Sequence, residues 1–231
     1  MKIIFVRHGL TKSNIEKKYS TPETRLEESG LYILDKTKEL LKNYEIDQVY
    51  ASGLIRSQET AKILGYVDYL VDTRLNEMDF GDFKGQNIYD VREKYKDFFQ
   101  KEKESYFDLA YPNGESRRDV INRLTSFLDE KSKEDKNILA ISHGIAIRST
   151  LFWILKDLYN WQSFWIDNGS LTVYNINDDK RLIESVNLIW NLYTWLTAIL
   201  EIGLILKVDF QIRLEKIIKN LWKIFWEIIR I

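Results

Sequence analysis

The residues of this chain that are best suited to chemistry are its two histidines, His8 and His143. Each follows an apolar run, 3–6 or 138–141, and each precedes a glycine; Arg7 stands directly before His8. The chain has no cysteine, which excludes a thiol nucleophile, a disulfide and a thiolate zinc site. An imidazole beside an arginine is therefore the reactive pair to consider. Phosphate is the ligand that best suits this pair, because the guanidinium fork matches phosphoryl oxygens.

Two short buried strands must position these histidines. Residues 3–6 are Ile-Ile-Phe-Val and residues 138–141 are Ile-Leu-Ala-Ile, and such apolar runs are typical of parallel strands covered on both faces. In open α/β sheets, ligands bind beyond the carboxyl ends of the strands. Arg56 lies in a comparable place, in the first turn of a helix after the predicted strand 46–51. We therefore expect these side chains to form a compact cationic pocket.

A phosphate ester held in this pocket could be cleaved by an imidazole. Without cysteine or an evident set of metal ligands, a neutral imidazole is a reasonable nucleophile toward phosphorus, and water would then hydrolyse the covalent intermediate. The leaving alkoxide needs a proton donor, and Glu77 is the candidate. Two imidazoles cannot form a three-histidine metal site, so we predict neither a metal nor a cofactor.

The alternative is that these residues are structural or solvated. An arginine–histidine pair after a strand, an arginine on a helix and one glutamate among several acids all occur in proteins without an active site. Both histidines, however, occupy equivalent positions at predicted strand ends. This favours a site, because independent structural roles would have to coincide.

Apolar periodicity along the chain predicts an α/β fold, a three-layer α/β/α arrangement with a mostly parallel central sheet. Strands are predicted at 3–6, 46–51, 67–71 and 138–141, with a closing hairpin at 171–176 and 182–186. Helices are predicted at 27–43, 54–64, within a charged and aromatic insertion at 88–107, from a cap at Ser116 and Asp119 to about 130, and at 145–155.

Composition limits the partners of the protein. Its 231 residues carry 34 Lys and Arg against 35 Asp and Glu, so the net charge of −1 does not favour nucleic acid. The lack of cysteine fits a reducing compartment, and Met1-Lys2 leads directly into a strand without a secretory signal. We therefore expect a cytoplasmic protein that binds a small phosphorylated substrate.

Five segments place polar residues after the predicted strands and in the loops: Arg7-His8-Gly9-Leu10-Thr11 with Asn14, Ser52-Gly53-Leu54-Ile55-Arg56-Ser57 with Thr60-Ala61, Leu75-Asn76-Glu77 with Phe80-Gly81, Pro112-Asn113-Gly114-Glu115-Ser116, and Ser142-His143-Gly144 with Arg148. Together they resemble the histidine phosphatase superfamily, in its phosphoglycerate mutase-like branch, over about residues 1–187. The resemblance implies that His8 becomes phosphorylated and that Arg7, Asn14 and Arg56 bind phosphate. It also implies that Glu77 is the acid/base and that His143 binds phosphate and stabilises the transition state.

The resemblance leaves the reaction open between a phosphatase and a mutase. It implies that true mutases keep a bisphosphate cofactor and carry a longer, basic insertion. The corresponding segment here, 86–111, is short and contains several aromatic residues. We therefore predict a phosphatase that hydrolyses small phosphate monoesters, with phosphoglycerate mutase-type transfer as the alternative. The aromatic residues of the insertion either line a partly apolar substrate pocket or form helix core.

The predicted catalytic domain, 1–187, is followed by a tail, 188–231, of different composition. Residues 188–206 are mostly apolar, and 210–231 form a strongly amphipathic helical pattern with lysines on its polar side. The tail could pack on the domain, form a homodimer, contact a membrane surface or be unselected sequence; Glu201 weakens a transmembrane interpretation. A further hypothesis is a non-catalytic phosphate-binding or interaction protein that acts through this tail.

Overall fold

The structure is a computed structural model that describes residues 1–157, 160–177 and 180–190. One mixed sheet runs through this part of the chain. Its strands are β1 (Lys2–Arg7), β2 (Gln48–Ala51), β3 (Leu70–Val71), β4 (Ile138–Ser142), β5 (Leu171–Asn177) and β6 (Lys180–Leu188). They lie in the order β3-β2-β4-β1-β5-β6. The first four strands are parallel, and β5 is antiparallel to both of its neighbours.

The helices fall between the strands in sequence. They are α1 (Lys12–Ile15), α2 (Leu31–Leu41), α3 (Ile55–Ile63), α4 (Ile88–Lys94), α5 (Lys96–Glu104), α6 (Arg117–Lys131), α7 (Gly144–Thr150) and α8 (Phe152–Leu155). The predicted cap of α6 is present: Ser116 Oγ accepts the Asp119 N–H at 3.2 Å, and the Asp119 carboxylate accepts the Ser116 N–H at 2.9 Å. This reciprocal pair satisfies two N–H groups that a helix start would leave without acceptors.

Helices cover both faces of the sheet. Because side chains alternate along a strand, Ile3 and Phe5 of β1 face one side, and Ile4 and Val6 face the other. The first pair packs in a core with side chains of α6, α7 and α8, and the second pair in a core with side chains of α2 and α3. The predicted three-layer α/β/α fold with a mostly parallel sheet is therefore confirmed.

Several predicted boundaries differ from those observed. Of the predicted strand 67–71, only Leu70 and Val71 pair with β2, and Val67 is 72% exposed. This strand lies at the sheet edge, where its side chains find little apolar surface to pack against. The predicted helix 27–43 opens with a 3₁₀ turn, Glu28–Gly30, before α2, and the predicted helix 145–155 is divided into α7 and α8.

The insertion at 88–107 is helical, as predicted, and its aromatic residues supply core. Tyr95, Phe98 and Phe99 surround the Phe83 ring, with centroid distances of 4.8, 5.5 and 6.1 Å. The core interpretation therefore holds for these three side chains. Tyr89 is instead 64% exposed.

The predictions for the tail concern residues that lie almost entirely outside the described ones. Strand β6 ends at Leu188, and the amphipathic pattern at 210–231 is beyond the part of the chain that the structure describes. No helix among the described residues is long and apolar enough to cross a bilayer.

Candidate active site

The register of two neighbouring strands brings the histidines together. Strands β1 and β4 are parallel, and Arg7 at the end of one pairs with Ser142 at the end of the other. The next residues are His8 and His143, whose ring centroids lie 5.0 Å apart. Both side chains are buried, although each follows the end of its strand.

The hydrogen bond of His8 fixes which of its ring nitrogens carries the proton. His8 Nδ1 lies 2.7 Å from the carbonyl oxygen of Gly9. A carbonyl only accepts, so Nδ1 is the protonated nitrogen, and Nε2 keeps its lone pair. Burial, reinforced by the charges of Arg56 and Arg7, holds the pKa of His8 well below its ordinary value of 6.5. The imidazole is therefore neutral and nucleophilic at neutral pH.

Two arginines supply positive charge around the histidines. Arg7 Nη1 donates to the carbonyl oxygen of Ile166 at 2.5 Å, and Arg56 Nη1 donates to that of Thr21 at 3.0 Å. The Nε–H of each is buried and makes no hydrogen bond within the described residues. Burial lowers the pKa of Arg56 to about 10, which leaves its guanidinium charged at neutral pH. These groups can donate to an anion in the site.

Backbone N–H groups hold the carboxylate of Glu77. Its Oε1 accepts from Met78 N at 3.0 Å and from Ala146 N at 3.1 Å, and its Oε2 accepts from Ile145 N at 3.2 Å. Two of these donors belong to the first turn of α7, which starts directly after His143. The carboxylate is thereby fixed beside the histidine pair, which distinguishes it from the nearby acids: Asp79 is paired with Lys84.

Arg123, on α6, holds the loop that carries Glu77. Its Nη1 donates to the carbonyl oxygens of Arg74 and Asn76, both at 2.7 Å, and its Nη2 donates to that of Glu77 at 3.2 Å. The same guanidinium pairs with Glu115 at 2.9 Å. Arg123 was not predicted as a site residue from the sequence. The available signal was a charged residue on a predicted helix, which by itself indicates only a solvated face.

His143 is fixed by the loop between β2 and α3. Its Nε2 lies 2.7 Å from Ser52 Oγ, while its buried Nδ1 makes no hydrogen bond within the described part of the chain. Burial, together with the positive charge of Arg56, holds the pKa of this imidazole well below its ordinary value. Ser52 stands in one of the five segments described above, but the sequence pattern predicted no role for it.

Asn14 lies close to His8, within a small polar network. Its Oδ1 accepts from Thr11 N at 3.1 Å and from Asn168 Nδ2 at 3.2 Å. Asn168 also donates to the carbonyl oxygen of His8 at 3.0 Å. Asn168 was not predicted from the sequence, because it follows no apolar strand and lies 160 positions from His8.

A cleft of about 350 Å³ opens beside Arg56 and Glu77 and is lined further by Thr73, Asn76, Lys84 and Arg123. Lys84 is paired with Asp79 and Arg123 with Glu115. Arg56, in contrast, has no carboxylate partner among the described residues, so it is available to an anionic ligand. Within that part of the chain, no group of three or more His, Cys, Asp or Glu side chains could hold a metal ion.

The chain is similar to known proteins in sequence and in fold. The family model of the histidine phosphatase superfamily (branch 1) matches residues 3–189. Phosphoserine phosphatase 1 of Hydrogenobacter thermophilus is 28% identical over 195 residues, 81% of this chain and 92% of that protein. A 2,3-bisphosphoglycerate-dependent phosphoglycerate mutase of Rhizobium etli is 28% identical over 202 residues, 81% of this chain and 96% of that protein. The alpha-ribazole phosphatase structure from Shigella flexneri shares the fold, with a TM-score of 0.72 at 24% identity over 81% of this chain and 96% of that one.

Proposed function

The chain belongs to the histidine phosphatase superfamily, with phosphatases among its relatives, and we propose that it hydrolyses small phosphate monoesters through a phosphohistidine at His8. The observation that carries this proposal is the arrangement around His8. A neutral imidazole with a free Nε2 lone pair lies beside His143 and near two arginines whose buried Nε–H groups lack partners among the described residues.

In the first half of the proposed reaction, His8 Nε2 attacks phosphorus. A P–N bond forms, and the P–O bond to the alcohol breaks. The departing oxygen takes its proton from the Glu77 carboxyl group, so the alcohol leaves neutral. The imidazole carries the phosphoryl group on Nε2, while Nδ1–H stays bonded to the Gly9 carbonyl oxygen.

In the second half, water attacks the phosphohistidine. The Glu77 carboxylate accepts a proton from the water, the new P–O bond forms, and the P–N bond breaks. Inorganic phosphate leaves, and His8 returns to its neutral form. Glu77 thus alternates between acid and base, and its backbone hydrogen bonds keep it in one place for both steps.

The remaining site residues bind the phosphoryl group in this proposal. Arg7 and Arg56 supply donors and charge to its oxygens, and His143 and the amide of Asn14 add neutral donors. In a largely dry site such preorganised donors stabilise the charge that spreads over the equatorial oxygens during transfer. The buried Nε–H of Arg56 and Nδ1 of His143 are suited to this role, since neither has a partner among the described residues.

A mutase reaction is the second candidate, because the mutase relative from Rhizobium etli matches this chain over as large a share as the phosphatase relative does. Both reactions begin with the same phosphohistidine. They differ in whether water or a second substrate hydroxyl receives the phosphoryl group. Isomerisation of 3-phosphoglycerate in the presence of the bisphosphate separates them, and robust conversion would favour the mutase.

Two further parts of the proposal depend on composition. The lack of cysteine supports a cytoplasmic location. The amphipathic pattern at 210–231 supports a homodimer or a membrane-surface contact through the tail.

Hydrolysis of an aryl phosphate in the presence of a chelator tests the proposed function. We expect steady turnover by the full-length chain and its loss in His8→Asn. A matched control is Ser149→Ala, which removes a buried hydroxyl on α7 whose one hydrogen bond among the described residues is to Ile145 of the same helix. No turnover by the wild type, or full turnover by His8→Asn, would contradict the proposal.

A further inference from the structure

The hydroxyl group of Ser52 lies between two partners in the interior. It is fully buried, as is His143, and the distance from Ser52 Oγ to His143 Nε2 is 2.7 Å. The backbone N–H of Leu54 donates to the same oxygen at 3.2 Å. These two contacts are the only hydrogen bonds of Ser52 Oγ within the described residues.

A count of protons decides how Ser52 and His143 share their bond. The Leu54 N–H already occupies one lone pair of the hydroxyl oxygen, and the hydroxyl proton still needs an acceptor. His143 Nε2 is the acceptor within reach. If Nε2 carried a proton instead, the Ser52 proton would be buried without a partner, which is energetically costly.

We infer that Ser52 donates to Nε2 of His143 and thereby holds this histidine as the neutral tautomer protonated on Nδ1. The proton then lies on the one ring nitrogen that is buried and has no partner among the described residues. The lowered pKa of His143 agrees with a neutral ring.

This inference rests on the proposed function for its consequence. His143 would present a neutral N–H to a phosphoryl oxygen, as a donor that adds no third positive charge beside Arg7 and Arg56. A neutral imidazole is an effective donor in a dry site. The two histidines would then share one tautomer but use it differently. The Nε2 lone pair of His8 attacks phosphorus. The Nε2 lone pair of His143 accepts the Ser52 hydroxyl proton, and its Nδ1–H donates to the phosphoryl oxygen.

The tautomer can be measured directly, because the chain has only two histidines. Correlation spectra of the full-length protein with ¹⁵N-labelled histidine rings distinguish protonated from unprotonated ring nitrogens, and His8→Asn assigns the signals by removing one set. We expect His143 to show a protonated Nδ1 and an unprotonated Nε2. A protonated Nε2, alone or together with Nδ1, would overturn the inference.

Ser52→Ala tests whether the serine hydroxyl sets the tautomer of His143. We expect the Nε2 and Nδ1 signals of His143 to shift toward a mixture of tautomers and kcat to fall by about 10- to 100-fold with little change in KM. Ser149→Ala changes a buried serine that, among the described residues, makes no hydrogen bond to His143, and it should leave both spectrum and kcat unchanged. A wild-type tautomer in Ser52→Ala would overturn the role of the serine.

The two proposals fail separately. An Nδ1-protonated His143 in a chain without phosphatase activity would contradict the proposed function and leave the tautomer in place. An Nε2-protonated His143 in an active phosphatase would do the reverse. If Ser52→Ala does not fold, the wild-type spectrum still decides the tautomer.

Discussion

Arg7 and Ser142 pair across the neighbouring strands β1 and β4, and this register sets the position of both histidines. His8 and His143 each follow the paired residue by one position, so their rings meet 5.0 Å apart. A slip of one residue in this pairing would send one side chain to the opposite face of the sheet. The relative position of the two histidines is therefore set by the pairing of β1 with β4.

The first prediction concerns the pH dependence of stability. The folded-state pKa values of His8 and His143 lie well below 6.5, because burial and the charge of Arg56 disfavour the imidazolium form. Below about pH 6.5 the unfolded chain binds protons that the folded chain does not. The free energy of unfolding should therefore fall with decreasing pH, by at most about 1.4 kcal/mol per pH unit for each histidine.

Urea unfolding between about pH 8 and about pH 5.5 measures this slope. The contribution should be fully present above pH 6.5 and lost as the pH falls toward the folded-state pKa values. His8→Asn removes one of the two groups and should reduce the slope by about half. A stability that stays flat or rises as the pH falls through this window would contradict the assignment of two buried neutral imidazoles.

The second prediction concerns Arg123 as a positioning residue. Arg123→Lys keeps the charge but loses the fork that holds Glu115 and the backbone around Glu77. We expect kcat to fall by up to about 100-fold, because a small displacement of a reacting group is costly, with a smaller change in KM. Stability should fall by about 2 kcal/mol through the lost charged hydrogen bonds.

Arg118→Lys is the matched control for Arg123→Lys. Arg118 lies on the same helix, but its side chain is 38% exposed, and among the described residues its only ion pair is with Asp108. It should therefore match the wild type in both kcat and thermal unfolding. Wild-type kcat in Arg123→Lys would show that the position of Glu77 does not depend on this guanidinium.

The third prediction concerns the ion pair that joins the insertion to α6. Arg117 Nη2 donates to Glu102 Oε1 at 2.7 Å, and both side chains are almost completely buried. Arg117→Ala leaves the carboxylate without its cation, and we expect the free energy of unfolding to fall by about 3–5 kcal/mol. In the double variant Arg117→Met with Glu102→Leu, most of this loss should be recovered, since no buried charge remains.

Thermal and urea unfolding of these variants, beside Arg118→Ala, provide the measurement. An Arg117→Ala chain as stable as the wild type would mean that the pair is solvated in solution. A double variant less stable than Arg117→Ala would contradict the expectation that the unpaired buried carboxylate causes the loss.

Sequence reasoning was most informative where a local pattern determines structure. The apolar runs before His8 and His143 predicted buried parallel strands, and the three-layer fold followed from alternating strands and helices. That these two strands are neighbours was visible only in the structure. The length of the edge strand β3 was overpredicted. Its two paired residues, Leu70 and Val71, gain so little burial that pairing does not extend to Val67.

Residues that act over long sequence separations were beyond this reasoning. Asn168 reaches the backbone of His8, and Arg123 holds the loop that carries Glu77, and neither contact leaves a periodic signal in the sequence. Whether the insertion aromatics formed a pocket or a core also depended on packing, in this case around Phe83. The grouping of the candidate site residues is visible in the structure, whereas their catalytic roles remain predictions.

The fourth prediction concerns the tail. Every residue of the proposed site lies within 1–190, so a chain ending at residue 190 should retain the wild-type kcat on an aryl phosphate. Light scattering of the two forms then tests the predicted homodimer, and flotation with anionic vesicles tests the membrane-surface contact. Loss of activity in a truncated chain that remains folded would contradict this prediction and would show that catalysis requires the tail.

The most direct test of the central claim is to trap the phosphoryl group on His8. In Glu77→Gln the base for hydrolysis is absent, but nitrophenolate is a leaving group good enough to depart without an acid. Mixing this variant with p-nitrophenyl phosphate should release nitrophenolate in a burst equal to the enzyme concentration. Quenching in alkali, where phosphohistidine survives, and fragmentation by mass spectrometry should then place one phosphoryl group on His8. A phosphoryl group on another residue, or turnover by the wild type with neither burst nor labelled histidine in Glu77→Gln, would contradict the account.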